Sequence, residues 1–243
     1  MIGKDDKRVL AVIPAKGNSN RILNKNMRKC AGHPLIRWTI EAAKASLCVD
    51  DIIVTTDDPI ISGYCANLSL KVFDRDPEHS EDNVHAIVPV LDVLKRSSMT
   101  AFCRKYGVQP FDIVTMLLPT SPLRCGYEID NSLYLMEETD APSVVGMFLL
   151  GGAGTIRYVD EEWNVHPVIE FEKNQQSADM QQLYRVNGAI FTATIKDLML
   201  EKTFHMEKVI PMPMSPVSSV EVDTVAELEK AEMLLEARIA REE

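Results

Sequence analysis

Residues Val9–Asn26 read VLAVIPAKGNSNRILNKN. The stretch opens with a short apolar run, rich in β-branched side chains and closed by proline. A run that is apolar at successive positions, rather than at alternate ones, predicts a strand buried on both faces, as in parallel sheets. The turn that follows carries Gly17, Asn18 and Ser19, with Lys16, Arg21 and Lys25 among them. A strand feeding such a turn lets backbone N–H groups and cations converge on phosphate oxygens. The spacing is neither GxxxxGK[ST] nor GxGxxG, which sets aside a Walker loop and a dinucleotide fingerprint. On composition alone the stretch also reads as a solvated basic loop.

Further strands and helices alternate outward from this point. A helical pattern runs through Leu35, Ile36, Ile40, Ala43 and Leu47, with Pro34 suited to its first turn. DIIVTT at Asp51–Thr56 predicts a second buried strand, followed by Asp57-Asp58 and a helix over Pro59–Leu68, which at least one of these aspartates caps. A short strand is expected at Leu70–Phe73 and a helix over Val84–Lys105, kinked or delayed by Pro89. Asp112–Leu118 reads as a strand, Glu128–Glu138 as a helix and Ser143–Leu150 as a strand. This alternation predicts an α/β fold with a doubly wound, mostly parallel sheet. Ligands in such sheets sit outside the carboxyl ends of the strands, where Lys16–Arg21, Asp57-Asp58 and Thr120–Arg124 fall.

The rhythm breaks after Gly151. Strand-like Thr155–Val159 and Val165–Phe171 flank a DEEWN turn, and a polar run follows to Gln182. We read 151–182 as an inserted hairpin or arm outside the main sheet, and 1–150 with 183–243 as the core. Leu183–Ala193 returns to buried-strand composition, and Val209–Met212 and Val217–Val222 are candidate edge strands. Thr224 and Glu227 form a capping box for a last helix to about Arg241, its apolar face Val225, Leu228, Ala231, Leu235 and Ile239.

The 243 residues carry 26 basic and 36 acidic side chains, a formal charge of −10. That balance argues against a broad nucleic-acid face and leaves room for a local cationic pocket taking a small anion. Five scattered cysteines, with no CxxC pair, read as reduced thiols in a cytoplasm-like compartment. The opening MIGKDDKR lacks a signal pattern and no apolar run is long enough to span a bilayer, so a soluble, cytoplasmic protein is expected.

IPAKGNSNRILNKN at 13–26, followed by GHPLIRWTIEAA at 32–43, resembles the opening of the CMP-sugar-acid cytidylyltransferases, typified by acylneuraminate cytidylyltransferase. The likeness continues in register through IIVTTDDPII at 52–61, FDRDPEHSEDN at 73–83, LLPTSPLR at 117–124, YRVNGAIF at 184–191 and SVEVDTVAEL at 219–228. It covers nearly the whole chain apart from the arm. The resemblance implies a nucleotide-diphospho-sugar transferase-like, Rossmann-type fold with a small dimerisation insertion. It also implies transfer of CMP from CTP to the anomeric hydroxyl of a 2-keto sugar acid, for cell-surface polysaccharide.

Residue by residue, the resemblance assigns Ala15, Lys16, Gly17, Asn18, Ser19, Arg21, Lys25, Asn26, Arg75 and Asn83 to the nucleotide. Thr120, Ser121, Arg124 and Asn187 fall to the acidic sugar. Glu221 and Asp223 fall to Mg²⁺ or Mn²⁺, and Lys16, Lys25 and Asp223 to catalysis. Alternate positions on a strand would give Glu221 and Asp223 one face. The same acids also read as an exposed edge ahead of a helix N-terminus. His79 and His85 receive no role.

The chain departs from the family pattern at Leu118, where a Gln is usual, at Asn20, and at Glu221, where an Asp is usual. Gln175 and Gln176 stand roughly where the family carries arginines for the sugar carboxylate. Acceptors within reach of this reading are a nonulosonic acid such as N-acylneuraminate, pseudaminic acid, a 3-deoxy-octulosonic acid or a phosphonate. A non-catalytic nucleotide-binding relative is the other reading.

Overall fold

The structure, a computed structural model, describes residues 7–81, 83–96, 103–104, 110–152, 156–169 and 182–242. Its main sheet contains β1 (Val9–Pro14), β4 (Asp51–Thr56), β5 (Lys71–Asp74), β6 (Ile113–Met116), β7 (Ser143–Gly152), β10 (Gln182–Thr194) and β11 (Val209–Pro213). Two short ladders lie outside it, β2 (Lys29–Cys30) with β3 (His33–Pro34), and β8 (Arg157–Val159) with β9 (Val165–Pro167). The sheet order is β11-β7-β10-β6-β1-β4-β5. β10 runs antiparallel to β6 and β7, and the other neighbouring pairs are parallel.

β1 is buried at every position, as its uniform apolar run requires. Val9, Ala11 and Ile13 pack on one face with Ile36, Ile40 and Ala43 of α1 (Leu35–Ala45), Ile61 and Cys65 of α2 (Pro59–Asn67), and Ile129 and Leu133 of α4 (Gly126–Thr139). Leu10 and Val12 pack on the other with Val90 and Val93 of α3 (Ile87–Lys95) and Leu198 of α5 (Ile195–Glu201). Helices therefore cover both faces, and the expected doubly wound, mostly parallel sheet is the one observed. β1 lies between β4 and β6, so the chain leaves it toward one side first and the other later. That reversal opens a crevice at the carboxyl ends of β1 and β6.

Several expected elements take different bounds. His33 and Pro34 belong to a tight hairpin whose turn residues, Ala31 and Gly32, have φ of 47° and 78°. Positive φ at both central positions suits the twist of a two-residue hairpin, and the helix starts only at Leu35. Pro89 sits in the first turn of α3, where a missing N–H matters least, so this helix begins at Ile87. Its expected extension toward Lys105 meets residues 97–102 and 105–109, outside the described residues.

Val217–Val222 forms no strand. The hydroxyl of Ser215 accepts from the Ser218 N–H at 3.0 Å, and the Ser219 N–H donates to the Ser215 carbonyl at 3.0 Å, so a local turn takes these groups from a ladder. β8 and β9 stand apart from the main sheet. Much of the polar run toward Gln182, with Gln175 and Gln176, lies outside the described residues, as do Glu170 and Phe171. Among the described residues no helix is long and apolar enough to cross a membrane.

The lower edge of the α1–α4 layer is fastened by one carboxylate. Asp130, buried in α4, accepts from the Leu47 and Cys48 amides at 3.1 Å each and from the Ser46 hydroxyl. Removing it strands those donors, so Asp130→Ala is expected to lower unfolding free energy by ~1–3 kcal/mol, read by urea denaturation.

Candidate active site

The loop after β1 is held from both ends. The Ala15 N–H extends the β1–β4 ladder by donating to the Thr55 carbonyl at 2.9 Å. The Gly17 N–H donates to Asp57 Oδ1 at 3.0 Å, and a Cβ at Gly17 would come within 2.6 Å of the Asp58 side chain. Only glycine fits there, because the loop backbone lies directly on the start of α2. Asp58 caps that helix, accepting from the Ile60 and Ile61 amides. At the far end Asn24 takes a left-handed φ of 53°, and the buried Asn26 amide donates to the Lys16 carbonyl at 2.8 Å. Asn26 thus closes the loop into a ring around Lys16–Lys25. Ser19 is buried in it and Asn18 exposed.

A second segment, 220–223, is laid against this loop. The Val222 N–H donates to the Thr120 carbonyl at 2.7 Å, and its carbonyl accepts from Lys25 Nζ at 3.1 Å. Lys25 Nζ also donates to Asp223 Oδ1 at 2.9 Å, and Arg21 reaches Asp223 Oδ2 at 2.9 Å. The capping box forms as the sequence predicts: Glu227 Oε2 accepts from the Thr224 N–H at 2.8 Å and also from the Asp223 N–H at 2.9 Å. α6 (Val225–Glu242) buries Leu228, Ala231 and Leu235 against Ile22, Leu123, Val220 and Val222, whereas Val225 is half exposed. One small apolar cluster therefore binds both halves of the site together.

Glu221 and Asp223 flank the fully buried Val222, so both carboxylates emerge on the side away from the core although the segment is not a strand. Each side chain is 29% exposed. Glu221 packs over Gly188 of β10, where a Cβ would come within 2.9 Å of Glu221 Oε1, and lies 3.9 Å from Arg185. Burial, then the Asp223 charge, pushes the Glu221 carboxyl above its ordinary value, with Arg185 and Lys25 opposing. Burial also acts upward on Asp223, but the hydrogen bond and charge of Lys25 and the Arg21 charge outweigh it and hold that carboxyl below its ordinary value.

Other expected site residues take different places. Arg124, expected on the substrate side, is buried at 1% exposure, its guanidinium bonded to backbone carbonyls and to Thr39. Asn187 is likewise buried: its amide donates to Ser219 Oγ at 2.9 Å and its oxygen accepts from the Ala189 N–H at 3.0 Å. Both brace the site in this structure instead of facing a ligand. Arg75 is buried and donates to the His79 carbonyl, fixing the turn at 77–80. Burial lowers its pKa, with the Asp57 charge opposing. Asn83 is exposed in the turn ahead of α3. Thr120 Oγ1 and Ser121 Oγ are buried without a hydrogen-bond partner among the described residues.

Two residues have roles in the structure that the sequence reading did not give them. Asp57 holds the Gly17 amide, a role suggested only by the doubled aspartate, one of which suffices as a cap. Arg185, inside the YRVNGAIF stretch but given no role there, stands beside Glu221.

The cytidylyltransferase family profile matches residues 10–119. The CMP-N,N'-diacetyllegionaminic acid synthase of Legionella pneumophila is 32% identical over 94% of this chain and 97% of its own length. This chain belongs to the cytidylyltransferase family.

An N-acylneuraminate cytidylyltransferase of Streptococcus agalactiae is 30% identical over 88% of the chain, which spans only 50% of that longer relative. A pseudaminic acid cytidylyltransferase of Campylobacter jejuni is 28% identical over 93% of the chain. Among solved structures, CMP:2-keto-3-deoxy-manno-octonic acid synthetase complexed with CTP superposes with a TM-score of 0.68 at 17% identity, covering 96% of this chain and all of that one. At that identity the likeness concerns the fold, which agrees with the sheet described above. The recognised nucleotidyltransferase family and Rossmann-type fold are thus both found.

The opposite shifts of the two acids give a direct test of the geometry. Glu221, raised in the folded state, disfavours folding once ionised, so its penalty is absent below the unfolded carboxylate value and grows as pH rises through the raised one. Glu221→Gln is expected to stabilise the protein at neutral pH and to lose that advantage in acid. Denaturation curves in a chelating buffer at pH 7 and pH 4 measure the difference; an equal effect at both places Glu221 away from Asp223 and the buried crevice.

Proposed function

We propose that this cytidylyltransferase transfers CMP from CTP to the anomeric hydroxyl of a nonulosonic acid. The bond between that oxygen and the α-phosphorus forms, the α–β phosphoanhydride bond breaks, the hydroxyl proton is lost and pyrophosphate leaves. The observation that carries the reading is the junction of the ring-closed loop at Lys16–Lys25 with the acidic segment at 221–223, through Lys25 and Val222. A triphosphate needs cations along its length, and Arg21 and Lys25 converge on one point of this crevice. The 32% identity to a legionaminic acid enzyme over nearly its whole length supports the acceptor class.

The residues present fit a divalent ion. Glu221 and Asp223 are part-exposed carboxylates on one side of the segment, and magnesium is commonly held by one or two carboxylates together with substrate phosphates. When bound there, Mg²⁺ or Mn²⁺ would supply neutralisation of phosphate charge. Lys25 and Arg21 stabilise charge developing on the leaving pyrophosphate, and the Asn26 bond to the Lys16 carbonyl holds the loop closed around them. The unpartnered hydroxyls of Thr120 and Ser121 are suited to hydrogen-bond a polyhydroxylated acceptor. The same reading makes the protein cytoplasmic, where CTP is available, and a supplier of activated sugar for surface polysaccharide.

We also propose that the arm is a dimerisation element. Tyr158, Val159, Trp163 and Val165 of the β8–β9 hairpin are all more than half exposed, as much as 87% for Trp163. Leu149 and Tyr184, a cross-strand pair on β7 and β10, add further exposed apolar side chains.

Pyrophosphate release from CTP, Mg²⁺ and a panel of nonulosonic, 3-deoxy-octulosonic and phosphonate acceptors tests the reaction. Turnover is expected with a nonulosonic acid, and CTP binding without release for any acceptor would sink the enzyme reading. Asp223→Asn keeps an acceptor for Lys25 but removes the charge, and turnover is expected to fall ~10²-fold or more. Wild-type turnover in that variant would remove Asp223 from the chemistry. Replacing residues 157–167 by a short turn is expected to give monomers in light scattering from a dimeric parent.

A further inference from the structure

Arg124 is a buried cation, and among the described residues no carboxylate bonds its guanidinium. Its guanidinium instead meets oxygens from separate elements: the Ala189 carbonyl of β10, the Leu118 carbonyl after β6 at 3.3 and 3.4 Å, and Thr39 Oγ1 of α1 at 2.6 Å. Thr39 Oγ1 in turn donates to the Leu118 carbonyl at 3.3 Å. Burial holds the guanidinium below its ordinary pKa, with Glu128 opposing. An apolar side chain would fill the same volume without the desolvation penalty, so what the arginine supplies is this set of bonds.

The bonds fall where the sheet divides. β6 pairs with β10 only from Met116 and Phe191 away from the crevice, and the β7–β10 register shifts between Val186 and Phe191. Leu118 and Ala189 lie just past that last pair, on the two lips of the opening. Between them Gly188 takes φ +70°, and a β-carbon there would meet Glu221 Oε1 at 2.9 Å and Leu118 Cδ1 at 3.6 Å. A planar, forked cation can bridge two diverging carbonyls where ladder hydrogen bonds end, and a lysine ammonium cannot span the same set.

We infer that Arg124, with Thr39, is a positioning residue that sets the width of the crevice between β6 and β10, and thereby where the acceptor sits relative to the nucleotide. The inference rests on the proposed transferase reaction. It assigns Arg124 no contact with substrate. Asn26 and Asp57 fasten the nucleotide loop apart from the brace, and the Lys25–Val222 link continues to the segment after β6 at the Thr120 carbonyl. Loosening the brace therefore moves the acceptor side and leaves CTP in place.

The test compares Arg124→Lys, Thr39→Val and Thr39→Ser, after circular dichroism shows each folded. Expected results are an unchanged CTP-induced thermal shift, and an acceptor KM raised about tenfold in Arg124→Lys and about threefold in Thr39→Val, as misplacement of one reactant produces. Thr39→Ser, which keeps the hydroxyl, is expected to restore the wild-type acceptor KM. Wild-type acceptor KM in Arg124→Lys, or equal losses for CTP and acceptor in all three variants, would overturn the inference. A wild-type enzyme that releases no pyrophosphate fails the reaction itself; the amide exchange of Ala189, expected to quicken in Arg124→Lys and Thr39→Val but not in Thr39→Ser, then still reads the brace.

Discussion

The nearly buried ammonium of Lys25 is the bond on which the site depends. It reaches the Val222 carbonyl and the Asp223 carboxylate, residues almost two hundred positions away in the chain. Without that bond the loop after β1 and the segment ahead of α6 would meet through apolar packing, which fixes proximity but not direction, and through the more exposed Arg21–Asp223 pair. A charge-assisted bond of defined length fixes direction as well. Because the ammonium is largely out of water, losing its partner is costlier than losing a surface pair, where ~0–1 kcal/mol is usual.

The rest of the architecture delivers those two ends. β1 must be apolar on both faces to lie mid-sheet, and that central place puts its carboxyl end at the reversal of strand order. The cluster around Ile22, Val222 and Leu228 then presses α6 onto the loop. Arg124 and Asn187 complete the frame from below by satisfying backbone groups where β10 leaves its neighbours. Buried Arg124, Asn187 and Asn26 thus act on main-chain geometry, while the unpartnered hydroxyls of Thr120 and Ser121 keep bonding capacity in reserve.

Legibility in the sequence followed the range of the interaction. β1 and β4 have the bounds expected because a short run rich in β-branched residues, ended by proline or followed by aspartate, leaves little choice. The Thr224–Glu227 capping box, and a cap from the Asp57-Asp58 pair, were legible because their partners are only a few residues apart. Val217–Val222 was misread because serine hydroxyls, invisible to a hydropathy pattern, captured the backbone. Arg124 and Asn187 were placed on the substrate side because residue type says what a side chain can bond, not whether it faces a crevice or the packing beneath it.

By itself the sequence determined the fold class, the strand that carries the nucleotide loop, the cytidylyltransferase family, and the residue types gathered at the crevice. These depend on local periodicity and on motifs held in order along the chain. Tertiary structure alone decided which of those residues meet: Lys25 and Arg21 with Asp223, Glu221 with Arg185, Asp57 with Gly17. It also decided that Arg124 turns inward. Such pairings join elements far apart in the chain, and their geometry is set by how the sheet divides and how α6 docks, neither of which any local stretch encodes.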